Sequence, residues 1–210
     1  MSLSPAEHRS RVALDTRVLL AMRGEHLDVH PARSPAAALT GEILPEGSVR
    51  AGEAGAFLCV YRFPLMARNG SRIESTHVLF DVSSPAYPFH KPLVQVVRRP
   101  FPWWAHVSTT TGVFCAGEGW DEAGGGMLLA QLVRHIAMLL NWDQRDLATL
   151  DALDPSALAY WRAHGARPQN PGLRYPELPE DIAFDPPATR PLFRKAPTAQ
   201  SAPARFRRMP

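Results

Sequence analysis

The sequence predicts an α+β fold. A capped helical segment opens the chain, a run of short alternating segments broken by turn residues follows, and two further helical segments close the periodic part. Helices and strands segregated in this way make an antiparallel sheet with helices packed on it.

Each element has its own signal. Ser4-Pro5-Ala6-Glu7 offers a capping Ser, a Pro suited to the first turn and a Glu that completes a capping box. Val12, Leu19 and Met22 recur on one face, with Leu14, Val18 and Ala21 beside it, and Gly24 is a good stop. A helix over about residues 5–23 is expected. Three strands should follow. The first spans 37–44 and ends at Pro45-Glu46-Gly47; the second spans 56–66, where Phe57, Cys59, Tyr61 and Phe63 alternate. The third spans 72–82, with Val78, Phe80 and Val82 on one face. Asn69-Gly70 tolerates the positive φ of a tight hairpin, so the second and third strands should pair antiparallel. Tyr87-Pro88-Phe89-His90-Lys91-Pro92 is too rich in proline for a strand interior, and residues 93–97 read as a short fourth strand in an antiparallel meander.

Residues 99–104 form a proline and aromatic loop, and Gly124-Gly125-Gly126 breaks the chain. Leu129, Leu132, Val133, Ile136, Leu139 and Leu140 then keep helical spacing over 127–141, the helix expected to pack on the sheet. Asp154-Pro155 starts a last helix, 155–164, which carries Leu158, Tyr160 and Trp161 and stops at Gly165. Ten prolines fall in residues 165–210, with little periodicity. The expected organisation is one domain over 1–165 and an extended Pro/Arg-rich interaction tail over 166–210. Tyr175, Leu178, Ile182, Phe184, Leu192 and Phe193 would be its spaced anchors.

The chain has 210 residues, 45% of them hydrophobic, enough for a real core. No stretch approaches the ~20 apolar residues of a membrane helix, and the N-terminus lacks a basic segment followed by an apolar one. The net charge is +3, but residues 162–210 hold nine Arg/Lys against four Asp/Glu, so the first 161 residues sum to about −2. A basic tail on a near-neutral domain argues against a nucleic-acid-binding core. Two cysteines in unlike settings do not make a disulfide framework, and a reduced cytosol is the natural compartment. No CxxC or HExxH pattern argues for zinc, and no cofactor is expected.

The two cysteines separate sharply. Cys59 lies within Phe57-Leu58-Cys59-Val60-Tyr61, a strand, where a thiol is a packing residue. Cys115 lies in Thr109-Thr110-Thr111-Gly112-Val113-Phe114-Cys115-Ala116-Gly117-Glu118-Gly119-Trp120, between glycines, nine residues after His106. A displayed sulfur is the easier one to reach and to activate.

The motifs around it bring in a family. Tyr87-Pro88-Phe89-His90-Lys91-Pro92 runs into Leu93-Val94-Gln95-Val96-Val97; then come His106, Gly112-Val113-Phe114-Cys115, Trp120 and the leucine-rich stretch 128–140, in that order. Over about residues 5–164 the chain resembles the ubiquitin-conjugating enzymes, in a divergent form similar to the bacterial ones encoded with their own activating enzyme and ubiquitin-like protein, often in antiphage operons. The resemblance implies an N-terminal helix, a four-stranded antiparallel meander, a long loop with the active cysteine, a central helix and C-terminal helices. It also implies a thioester on Cys115, accepted from an activating enzyme and passed to an amine, usually a lysine, of a target protein, in the cytoplasm. There are departures. The family's His-Pro-Asn triplet reads His106-Val107-Ser108, without the oxyanion asparagine; Trp120 comes early; and glycines 124–126 replace a Ser-Pro segment.

Roles follow the resemblance with alternatives open. Ser108 or Thr109–Thr111 either supplies the missing donor or satisfies loop backbone. His106 is either a base or structural. Asp143 and Asp146, after the central helix, stand where the family often has an acid near the incoming lysine, or are solvated. Arg9, Arg11 and Arg17 form either a surface for the activating enzyme or an ordinary basic face. The rival functions are a non-catalytic ubiquitin-binding variant and a cysteine hydrolase pairing Cys115 with His106 or His135.

Overall fold

The computed structural model describes residues 2–115, 120, 126–142, 152–164 and 167–179. Helix α1 runs over Pro5–Ala21, and its capping box is formed: the Ser4 amide donates to Glu7 Oε2 at 2.8 Å and the Glu7 amide to Ser4 Oγ at 3.4 Å. Strand β1 is Leu27–Ala32; then come two short helices, α2 (Pro35–Thr40) and α3 (Glu46–Arg50). Strands β2 (Ala56–Tyr61), β3 (Leu65–Met66), β4 (Arg72–Ile73), β5 (Thr76–Asp81) and β6 (Leu93–Val96) follow, then α4 (Leu129–Leu140) and α5 (Pro155–Ala163).

The main sheet has four antiparallel strands in the order β1-β2-β5-β6. The expected mixed architecture is therefore present, and β3 and β4 make a separate two-stranded hairpin around Asn69-Gly70, with Gly70 at φ +78°. The expected first strand is wrong. Residues 37–40 belong to α2, which Ser34 caps by accepting from the Ala37 amide at 3.2 Å and which Gly41 ends at φ +82°, and 42–44 are in neither helix nor strand. The true first strand, β1, contains Pro31. A proline is tolerated on an edge strand when its missing N–H faces outward. Here the Pro31 carbonyl faces that outer edge, where it accepts from the Leu44 amide at 2.9 Å.

Alternation builds two faces. Val29, Cys59, Val78 and Val96 form one row, and Phe57, Phe80 and Val94 another. Both rows face the main core with Val12, Val18 and Leu19 of α1 and the apolar stripe of α4. Tyr61 Oη donates to the Val133 carbonyl at 2.9 Å, tying α4 to the sheet. On the opposite face Ala32, Ala56 and Leu79 pack against Ala38 of α2, a smaller second core. Each large side chain buried this way stabilises by roughly 1.5–3 kcal/mol.

The packed chain continues beyond residue 165. Asn141, buried at the end of α4, accepts from the Asn170 amide at 2.7 Å, and its own amide donates to Tyr175 Oη at 2.9 Å. Gln169 Oε1 accepts from the Met66 amide at 2.9 Å. Leu173, Tyr175 and Leu178 pack on the main core. Residues 167–179 are thus a strap on the domain, and two of the expected tail anchors lie within it; Ile182, Phe184, Leu192 and Phe193 lie outside the described residues. Among the described residues no helix is long and apolar enough to cross a membrane.

Candidate active site

Cys115 ends a short hairpin that is added to the edge of β6. Residues 106–108 and 113–115 pair antiparallel: Val107 bridges Phe114, the Ser108 amide donates to the Val113 carbonyl at 2.9 Å, and the Cys115 amide donates to the His106 carbonyl at 2.8 Å. The outer strand then joins the sheet. The Val96 amide donates to the Gly112 carbonyl and the Phe114 amide to the Val94 carbonyl, both at 2.8 Å. Phe114 is buried and Cys115 half-buried, so the apolar side chain fixes the strand while the sulfur-bearing residue sits at its margin.

Gly112 makes this docking possible. Its φ is +73°, and a Cβ there would lie 2.2 Å from the Val96 carbonyl oxygen and 3.0 Å from the Phe101 ring. Only a residue without a side chain satisfies both constraints. The loop tip is pinned as well: Gln95 Nε2 donates to the Thr111 carbonyl at 2.7 Å, and Arg99 Nη2 to the Thr110 carbonyl at 3.1 Å.

The structure sorts the expected site residues. His106 is adjacent to Cys115 through its main chain, but its side chain is buried at 3% exposure, and among the described residues neither ring nitrogen has a hydrogen-bond partner. Burial lowers its pKa to about 4. His135 of α4 is likewise lowered to about 4, by burial first and then by the neighbouring His106. Both imidazoles are neutral near pH 7. Ser108 Oγ accepts from the Thr111 amide at 3.2 Å, and Thr111 Oγ1 from the Val113 amide at 3.3 Å, so both hydroxyls serve the turn. Ser108 stands two positions along the hairpin ladder from Cys115, which is roughly 6–7 Å of strand, and Thr111 lies in the turn beyond it. Asp143 and Asp146 lie outside the described residues. Cys59 is fully buried, and burial pushes its thiol far above the ordinary cysteine value, as expected of a packing residue. Among the described residues no group of three His, Cys, Asp or Glu could hold a metal ion.

One cluster escaped the sequence reading. Asp15, on the inward face of α1, has no exposed surface, and it accepts hydrogen bonds from Arg11 Nε at 2.7 Å, from Tyr87 Oη at 2.5 Å and from the Leu129 amide at 3.0 Å. A buried carboxylate requires such pairing. Arg11 is therefore not part of a basic face; its side chain is 13% exposed and also donates to the Met127 carbonyl. Arg9 and Arg17 are exposed. Tyr87 stacks on Trp120 with centroids 5.8 Å apart, and Trp120 Nε1 donates to the Pro88 carbonyl at 2.7 Å. The signal was the Arg11/Asp15 spacing of four on a helix, with Asp15 flanked by Val12 and Leu19.

No protein-family model matches the chain, and no curated protein matches its sequence. A solved structure titled "Novel Ubiquitin-Conjugating Enzyme" is similar over 74% of this chain and 87% of its own, at 13% identity and a TM-score of 0.46. A likeness of that degree assigns no activity, and the reading of the site rests on its own motifs and geometry.

Proposed function

We propose that this protein accepts a ubiquitin-like protein from an activating enzyme as a thioester on Cys115 and passes it to an amine, most simply a lysine, of a target. The observation that supports this reading is the seating of Cys115. It is the half-buried cysteine of the two, held at the end of a hairpin whose backbone is bonded to the sheet edge, while the other cysteine is sealed in the core. In the first step the Cys115 thiolate attacks the thioester carbonyl and expels the activating enzyme's thiolate. In the second, the amine attacks the new thioester, an amide forms, Cys115 leaves as thiolate and the amine proton passes to solvent or a nearby carboxylate. Splitting the transfer lowers each barrier, and the protein's contribution is mainly to hold the reacting carbon in place. Asp143 and Asp146 are the carboxylates proposed to meet the incoming amine, and a role in bacterial antiphage defence belongs to the same proposal.

The hydrolase alternative needs an imidazole acting on the sulfur. The His106 ring makes no hydrogen bond among the described residues, Cys115 included, and its lowered pKa makes it a weak base. The non-catalytic ubiquitin-binding reading draws on a different observation: the Ser108 hydroxyl, in the place of the family's asparagine, is occupied in the turn.

The test incubates the full chain with ATP, a ubiquitin-activating-type enzyme and its ubiquitin-like protein. A reductant-sensitive adduct should form, survive Cys59→Ser and vanish in Cys115→Ala. An adduct that persists in Cys115→Ala sinks the proposal. Binding of the ubiquitin-like protein without any adduct would favour the non-catalytic reading.

A further inference from the structure

We infer that Asp15 of α1, acting with Arg11, is a positioning residue for Trp120 and the entrance to α4, two points of the chain after Cys115; its meaning for transfer rests on the function proposed above. The chain leaving Cys115 is held at two later points, and both trace back to this carboxylate. The first point is Trp120, five residues on. It stacks on Tyr87, whose hydroxyl donates to Asp15 Oδ2, and it is fixed again by its own bond to the Pro88 carbonyl. The second is the entrance to α4. There the Leu129 amide donates to Asp15 Oδ1, and Arg11, bonded to Asp15, reaches the Met127 carbonyl.

The chemistry suits this role. Leu129 is the first residue of α4, whose capping residue, Leu128, has no polar side chain to cap it. Asp15 supplies the anion that the exposed amides and dipole of a helix start favour. Its other oxygen takes the Tyr87 hydroxyl and Arg11 Nε. Arg11 also lies over the Tyr87 ring, 5.5 Å from its centroid. One buried carboxylate therefore fixes the helix entrance, and through Tyr87 the Trp120 ring, in a single arrangement. Neutralising or deleting it weakens the hold on Trp120 and on the Leu129 amide together, whereas loss of an apolar α1 residue leaves both bonds in place.

The experiment uses the full chain with Cys59→Ser, so that Cys115 is the sole thiol, and follows alkylation by iodoacetamide under native conditions, with urea midpoints measured in parallel. Asp15→Ala should raise the Cys115 alkylation rate at least roughly 3-fold through local opening, and Tyr87→Phe, which removes only the hydroxyl link, should raise it in part. Adding Tyr87→Phe to Asp15→Ala should give little further change, because the link is already gone. Leu19→Ala is the control: a buried α1 residue outside the cluster, expected to lower the urea midpoint without changing alkylation. If Asp15→Ala and Leu19→Ala alter alkylation equally, or if Asp15→Asn and Tyr87→Phe both leave it unchanged, Asp15 is merely structural and the inference falls. Should Asp15→Ala not fold, the Asp15→Asn and Tyr87→Phe rates decide. Alkylation needs no ubiquitin-like protein, so coupling without charging overturns the proposed function and leaves the positioning intact.

Discussion

Lowering the pH from 7 to 5 should destabilise the fold by about 4 kcal/mol, through two histidines. His106 and His135 are held neutral in the folded protein with pKa values near 4, against an ordinary 6.5. In both cases burial is the leading cause. The unfolded chain therefore binds more protons than the folded one between pH 6.5 and about 4, so stability is intact above that window and is lost as pH falls through it. At pH 5 an unfolded histidine is almost wholly protonated, while the folded one is about one-tenth protonated; the difference from pH 7 is about 2 kcal/mol per residue. His77, also lowered by burial and by Arg98, adds a smaller effect of the same sign because it is partly solvated. The lowered carboxylates, Glu7 and Asp154, act only below their ordinary value near 4 and leave the window to the histidines. With a urea slope of about 2 kcal/mol/M, the midpoint should fall by about 2 M between pH 7 and 5. Tryptophan fluorescence against urea measures this directly. His106→Leu should remove about half of the pH dependence. A midpoint that does not move between pH 7 and 5, or an undiminished shift in His106→Leu, would refute the reasoning.

Three further outcomes follow from the same geometry. Gly112→Ala places a methyl against the Val96 carbonyl at a positive φ, and should cost about 2–4 kcal/mol in urea unfolding while raising Cys115 alkylation as the hairpin lifts from β6. Ser108→Ala removes one turn acceptor; about 1 kcal/mol of stability should go, with charging and discharge to lysine slowed by equal small factors, and a selective loss of discharge would instead give the hydroxyl an oxyanion role. Truncation after residue 165 strips the partners of Asn141 and the packing of Leu173, Tyr175 and Leu178, so the melting temperature should fall by about 5–10 °C, from roughly 2–3 kcal/mol.

What the sequence disclosed and what it hid have different physical origins. Local signals were sufficient where the element is local: the Ser4/Glu7 capping box, the Asn69-Gly70 turn and the apolar stripe of α4 all appear where patterning put them. The first strand was missed because Pro31 argues against a strand unless its edge position is known, and that position is a tertiary fact. The Ser-Pro signal that marks the start of α1 also stands at Ser34-Pro35, where it starts α2. The site shows the deeper reason. Cys115 could be recognised as displayed, yet what seats it is a handful of backbone bonds between Gly112, Phe114 and β6, too short to leave a periodic trace. An Arg and an Asp four apart on a helix have the pattern of a solvated ion pair; only Tyr87 and Leu129, 72 and 114 residues away, bury it. Residues 167–179 combine spaced apolar anchors, Leu173, Tyr175 and Leu178, with amide links from Gln169 and Asn170 that carry no hydropathy signal. Apolar patterning thus specifies the sheet and its helices, whereas the polar links that hold Trp120 and the start of α4 join residues far apart in the chain. A variant can therefore leave the core intact and still displace the thiol, which is why alkylation of Cys115, read beside unfolding, separates the two layers of the fold.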